Sequence, residues 1–144
     1  MDGGRYERTS KPALIQSVYA SFGRGDIQYI LDRLTSGVEW TLEGPEIIPF
    51  AGHRHGVSQV VGFFEALATT QTSQKLSIAD ILAQGDLVAT FGRYAATVTA
   101  TGKSFDSPVA HLFRIHDGKI SSFLDVGETA SMAGAYQAVA AAAK

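Results

Sequence analysis

From residue 76 to residue 126 the chain is a succession of β-rich runs with only short turns between them. The runs cover residues 76–82, 87–100, 104–116 and 119–126, and they are separated by Gln84-Gly85-Asp86, Thr101-Gly102-Lys103 and Asp117-Gly118. Connections this short join antiparallel neighbours, because a parallel return needs a crossover of about a dozen residues. The second half is therefore expected to be an antiparallel meander. The first half reads differently. Ser10 caps a helix with Pro12 in its first turn, and Leu14, Ile15, Val18, Tyr19 and Phe22 form its apolar stripe. Asp26 caps a second helix through Ile27, Ile30, Leu31 and Leu34, ending near Ser36-Gly37. Residues 38–42 alternate as a strand, a loop carries Gly44, Pro45 and Pro49, and residues 57–68 form a third helix marked by Val57, Val60, Val61, Phe64 and Leu67. Helices gathered before long antiparallel strands give an α+β layout, with a bent sheet covered on one side.

Composition narrows the function. With 45% hydrophobic and 18% charged residues the chain is expected to fold as one globular domain over residues 11–133, after a flexible stretch at 1–10 and before an alanine-rich tail at 134–144. Net charge is −2, with 12 Lys and Arg against 14 Asp and Glu and no basic run, so nucleic acid is not an expected partner. There is no cysteine, which excludes disulfides, thiolate nucleophiles and cysteine-ligated metals. No signal peptide or apolar span is visible, so the reading is no membrane association and a cytoplasmic location.

Tyr19-Ala-Ser-Phe-Gly-Arg-Gly-Asp26, Val38-Glu-Trp40, Ala51-Gly-His-Arg-His-Gly56 before Val60-Val-Gly-Phe-Phe64, and His111-Leu-Phe-Arg-Ile-His-Asp-Gly-Lys-Ile120 occur in that order. In this ordered set the chain resembles the SnoaL-like and ketosteroid-isomerase-like branch of the nuclear transport factor 2-like superfamily. The resemblance implies a cone-shaped α+β barrel, a curved antiparallel sheet with three helices enclosing a deep apolar pocket, and homodimers formed through the outer sheet face. It does not imply one activity, because the superfamily holds isomerases, dehydratases, epoxide hydrolases, polyketide cyclases and binding modules. The oxyanion tyrosine of ketosteroid isomerases aligns with Val18, leaving Tyr19 about 100° around the helix, and their base aligns near Leu42. The Asp-Arg-Asp relay of limonene-type epoxide hydrolases is not matched by Arg93-Tyr94-Ala95. The SnoaL-type cyclases place a histidine and an aspartate on the last two long strands, and His111 and Asp125 match those positions.

Whether those two side chains share a face depends on one turn. A two-residue Asp117-Gly118 loop sets His111 opposite Leu124 and turns Asp125 away. A three-residue loop with Gly118 left-handed sets His111 opposite Phe123, with Asp125 a diagonal neighbour about 7–8 Å off. The second is favoured, because it gathers Val109, His111, Phe113, Ile115, Phe123 and Asp125 on one face. The expected reaction is cofactor-free acid–base chemistry on a small hydrophobic molecule. Asp125 would take a proton beside a carbonyl, and His111 would orient the substrate or donate to the enolate oxygen. Tyr19, Trp40, Phe50, Phe64 and Phe123 are candidate substrate-binding residues, with Phe22 and Phe91 as further aromatics. Arg93 is a candidate anion anchor if it faces the pocket, and a surface charge otherwise, with Tyr94 on the opposite face. His53 and His55 read as a surface loop at the pocket mouth rather than a metal site. A non-catalytic ligand-binding or protein-interaction module is the alternative, and an outer row of Leu112, Ile120, Leu124 and Val126 is the expected dimer face.

Overall fold

The computed structural model describes residues 10–138. The expectations for residues 1–9 and 139–144 lie outside them. Helix α1 (Lys11–Arg24) starts on Ser10, whose hydroxyl accepts from the Ala13 N–H at 3.1 Å, and ends at Gly25, which adopts φ 75°. It buries Leu14, Ile15, Val18 and Ser21. Asp26 then caps α2 (Ile27–Leu31), which is shorter than expected. Leu34 does not continue the helix: it opens strand β1 (Leu34–Leu42), where pairing with Ile120 outweighs the local helical spacing. A short strand β2 (Gly52–His55) follows, then helix α3 (Val57–Thr70), which starts from Gly56 and buries Val60, Phe63, Phe64 and Leu67.

Strands β3 (Gln71–Gln84), β4 (Leu87–Val98), β5 (Ser104–His116) and β6 (Lys119–Asp125) form the meander read from the turns. Helix α4 (Ala130–Tyr136) closes the described chain. The six strands make one sheet in the order β2-β1-β6-β5-β4-β3. One pair departs from the antiparallel expectation. β1 runs parallel to β6, with Trp40 beside Phe123 and Leu42 beside Asp125, so the sheet is mixed, and β1 lies second from one edge, between β2 and β6. The α2-to-α3 half of the chain thus contributes two strands to a sheet begun by the last strand. Among the described residues four helices lie against the curved sheet, the three expected and α4 at the start of the alanine-rich tail. No helix among the described residues is long and apolar enough to cross a membrane.

The last hairpin adopts neither of the two registers considered for it. Asp117 and Gly118 both have positive φ (50° and 78°), so the loop is the two-residue turn, in its primed form. His116 pairs with Lys119 and Ile115 with Ile120. Arg114 then pairs with Ser122, which leaves Ser121 as an extra residue whose hydroxyl donates to the Arg114 carbonyl at 3.2 Å. This bulge shifts the phase by one residue and sets His111 directly opposite Asp125. The expected common face therefore exists, made by a bulge at Ser121 instead of a left-handed Gly118 in a three-residue loop. The two-residue turn itself sets Ile120 opposite Ile115 on the inward face, where it is fully buried, and so removes it from the expected outer row.

Candidate active site

The concave side of the sheet and helices α1 to α4 line a cavity of about 80 Å³, space for several waters or one small organic molecule. Tyr19, Trp40, Phe50, Phe64 and Phe123 all line it, as do Phe22, Tyr94, His111 and Asp125. The wall is an aromatic mosaic. Trp40 stacks on Phe123 with centroids 4.2 Å apart and meets Phe63 and Phe64 edgewise or tilted at 5.6 Å. Such pairs each add about 0.5–1.5 kcal/mol beyond the area they bury.

His111 and Asp125 are 7% and 8% exposed, and both belong to a chain of hydrogen bonds. The Tyr19 hydroxyl lies 2.6 Å from His111 Nδ1 and 2.6 Å from Thr90 Oγ1, and His111 Nε2 lies 3.2 Å from Asp125 Oδ2. Gly127 N–H donates to Asp125 Oδ1 at 3.0 Å. Asp125 is the acceptor at both oxygens when ionised, which puts the imidazole proton on Nε2 and leaves Nδ1 to accept from the Tyr19 O–H. Tyr19 then accepts from Thr90. Burial, opposed by the Thr90 bond and reinforced by the negative charge of Asp125, pushes the Tyr19 phenol well above its usual range, so it stays a donor. The histidine ring is clamped as well as bonded, stacked on Tyr19 at 5.8 Å and edge-on to Phe123 at 4.9 Å.

Both ring nitrogens of His111 thus already have protein partners. Direct donation from His111 to a substrate oxygen, as expected from sequence, would break one of these bonds. Two members of the chain were not anticipated in their roles. Tyr19 was placed as a substrate contact, and Thr90 was missed. The available signal was alternation: Thr90 pairs with His111 and sits on the inward row of β4 with Val88, Tyr94, Ala96 and Val98. A polar residue in such a row needs a partner.

Residues 15–123 match the profile of the SnoaL-like domain. The chain belongs to the SnoaL-like family. Asp125 lies two residues past the matched segment. No curated protein matches the sequence. Among solved structures, an NTF2-like protein of Burkholderia thailandensis is 30% identical with a TM-score of 0.79, over 86% of this chain and 95% of the other. TerC, co-crystallised with polyporic acid, is 25% identical with a TM-score of 0.77, over 85% and 95% of the two chains. A protein of Xanthomonas campestris pv. campestris provisionally named a polyketide cyclase is 20% identical with a TM-score of 0.73, over 86% and 94%.

Three expectations are corrected in this SnoaL-like domain. Arg93 faces away from the cavity and pairs with Asp106 at 2.9 Å, because it is Tyr94 that takes the inward row of β4. Phe91, on the same outward row, is 43% exposed. His53 and His55 lie on strand β2, not in a loop, and both approach Glu39 across the β1–β2 ladder, His55 Nδ1 at 2.8 Å. Among the described residues no group of three or more His, Cys, Asp or Glu side chains is arranged to hold a metal ion. The hydrogen bond from His55, helped by its charge and by His53, holds the Glu39 carboxyl below its usual range. A depressed carboxylate contributes stability above its unfolded-state pKa and loses it as pH falls through the folded value. NMR titration of Glu39 should therefore give a midpoint below that of a free glutamate, and His55→Ala should raise it. An unchanged midpoint in the variant would remove His55 as the cause.

Proposed function

We propose that this SnoaL-like domain binds a small, largely apolar molecule in its cavity and that Asp125 acts on it as a base, in isomerase, dehydratase or cyclase-type chemistry without a cofactor. The observation that carries the proposal is the meeting of His111 and Asp125 at direct cross-strand positions on an otherwise largely apolar wall. The co-crystallisation of TerC with polyporic acid and the cyclase name given to the Xanthomonas campestris protein are in keeping with it.

In the reaction a proton leaves the carbon beside a substrate carbonyl for an Asp125 oxygen. The C–H electron pair becomes the enolate double bond, and the negative charge passes from the carboxylate to the enolate oxygen. Return of the proton to another carbon isomerises the substrate. Alternatively, attack of the enolate carbon on a second carbonyl makes a C–C bond, and the Asp125 proton then goes to the new alkoxide. His111 works through Asp125 here, as a positioning residue: its Nε2–H holds one carboxylate oxygen while Tyr19 and Thr90 hold the ring.

The test is α-proton exchange of 1-indanone in D2O, followed by proton NMR. The wild-type protein should exchange the protons beside the carbonyl faster than buffer, and Asp125→Asn should fall to the buffer rate. Equal exchange by both proteins would remove Asp125 from the chemistry. Binding of 1-indanone with no exchange by the wild type would favour the non-catalytic module.

The same proposal includes a homodimer through the outer sheet face. Leu82, Phe91 and Val126 are 63%, 43% and 52% exposed there, and Leu82, Ala89, Leu112 and Leu124 form one row across β3, β4, β5 and β6. Phe91→Glu should turn a dimer into a monomer in sedimentation velocity. A wild type that sediments as a monomer at high micromolar concentration would sink this part.

A further inference from the structure

A charge on the wall of an apolar chamber calls for a counter-charge, and here the protein supplies none. Among the described residues Asp125 is the one acidic side chain that lines the cavity, and no lysine or arginine lines it. Arg93 and Arg114 are paired on the outer surface, with Asp106 at 2.9 Å and Asp86 at 3.1 Å. The two groups that hold the Asp125 carboxylate are N–H dipoles. His111 Nε2 lies 3.2 Å from Oδ2, and the Gly127 N–H donates to Oδ1 at 3.0 Å. Each oxygen thus accepts one bond and keeps a further lone pair. The side chain is also not sealed behind its neighbours, because 11% of its surface stays accessible.

The rest of the wall suits a positive charge. Half of the residues that line the cavity are Phe, Tyr or Trp. An aromatic ring is negative on its face and attracts a cation, which a neutral group of the same size does not exploit. Phe123 lies two residues before Asp125 on the same face of β6 and stacks on Trp40 at 4.2 Å, so a pair of rings stands beside the carboxylate. Phe113, opposite Phe123 on β5, meets it at 5.2 Å. A neutral ligand would leave the carboxylate without a counter-charge, and an anionic one would add a like charge to it.

We infer that the cavity selects small apolar molecules that carry one protonated amine, with the ammonium group against the Asp125 carboxylate and the apolar body among the aromatic rings. The inference rests on the ligand-binding half of the proposed function. It casts Asp125 as a counter-ion, whether or not the same carboxylate also moves a proton.

The probes are 2-aminoindane, indane and indane-2-carboxylate, which share one carbon skeleton and at neutral pH are a cation, a neutral molecule and an anion. In NMR titrations of the wild-type protein, 2-aminoindane should bind about tenfold more tightly than indane, and indane-2-carboxylate more weakly than indane. Asp125→Asn should weaken 2-aminoindane by about tenfold, the worth of a charge-assisted hydrogen bond, and indane by less than about twofold. Overhauser contacts from bound 2-aminoindane to the Phe123 and His111 rings should place it in the cavity and not on the acidic surface. The inference is overturned if the amine binds no more tightly than indane, if the carboxylate probe matches it, if the substitution weakens amine and hydrocarbon alike, if those contacts are missing, or if no probe binds. The wild-type series keeps the test decisive should the variant fail to fold. A preference for the amine without α-proton exchange of 1-indanone would remove only the base; exchange without the preference would remove only the counter-ion role.

Discussion

Gly127→Ala is expected to lower the melting temperature by about 10 °C and to release the candidate base from its place. Gly127 lies where the chain leaves β6 and presses on β5. A Cβ there would stand 2.6 Å from Val109 Cα and 2.8 Å from the Pro108 carbonyl oxygen, both backbone atoms that no rotamer change can move. The segment has little freedom to retreat, because Val126 N–H donates to the Ala110 carbonyl at 2.9 Å and Glu128 N–H to the Pro108 carbonyl at 3.0 Å. Forcing a methyl into so tight a contact costs about 3 kcal/mol. For a chain of this length that corresponds to the shift stated, at about 2–4 °C per kcal/mol. Retreat of the segment also withdraws the Gly127 N–H from Asp125 Oδ1. Calorimetry should show the drop, and 1-indanone exchange should fall in the fraction that remains folded. A variant melting within 2 °C of wild type, with exchange unchanged, would mean that the strap yields freely and does not hold the carboxylate.

Asp125→Asn carries the second large effect, a loss of about 10²- to 10⁴-fold in any proton abstraction, the usual worth of a positioned base. Its structural consequence is more specific. The new amide can accept from Gly127 N–H with its oxygen, but it then presents an N–H₂ group to His111 Nε2, which in wild type donates. Two donors cannot face each other. The chain relieves the conflict by reversing: the imidazole proton moves to Nδ1, Nδ1–H donates to Tyr19, and Tyr19 donates to Thr90. The distances of 2.6 Å at both Tyr19 contacts suit either direction, because a hydroxyl both gives and accepts. Stability should therefore change little while the histidine tautomer switches. Nitrogen-15 shifts of the His111 ring should report protonation at Nε2 in wild type and at Nδ1 in the variant. The same tautomer in both proteins would sink the hydrogen-bond order assigned to this chain.

How much of the site was legible before the structure can be judged from four residues. His111 and Asp125 were legible as a pair through the resemblance to SnoaL-type cyclases, which implied a histidine and an aspartate on the last two long strands; strand alternation alone left open whether they share a face. The favoured three-residue loop between their strands is not the one formed. Asp117-Gly118 announces a two-residue loop, and that loop alone would separate the pair; Ser121, an ordinary strand residue, carries the bulge that reunites them. Nothing in a serine's chemistry signals a bulge, which forms because buried Ile120 and Phe123 must both face the core. Tyr19 shows a different limit. Its place on the apolar stripe of α1 was plain, yet the stripe could not say that its hydroxyl would reach Thr90 and His111, 71 and 92 residues away.

Local chemistry in the sequence determined the helix caps at Ser10 and Asp26, the four long strands with their tight turns, and the inward rows that make an aromatic cavity wall. These depend on neighbours a few residues apart, where backbone sterics and the periods of helix and strand act directly. Only the tertiary structure decided that β1 lies parallel to β6, that Leu34 leaves its helix for that sheet, that Arg93 looks outward, and that Tyr19 and Thr90 hold His111. Each of those outcomes is chosen by which buried surfaces and hydrogen-bonding groups meet after distant segments pack, and an interaction across the core outweighs the small local preferences written at either end.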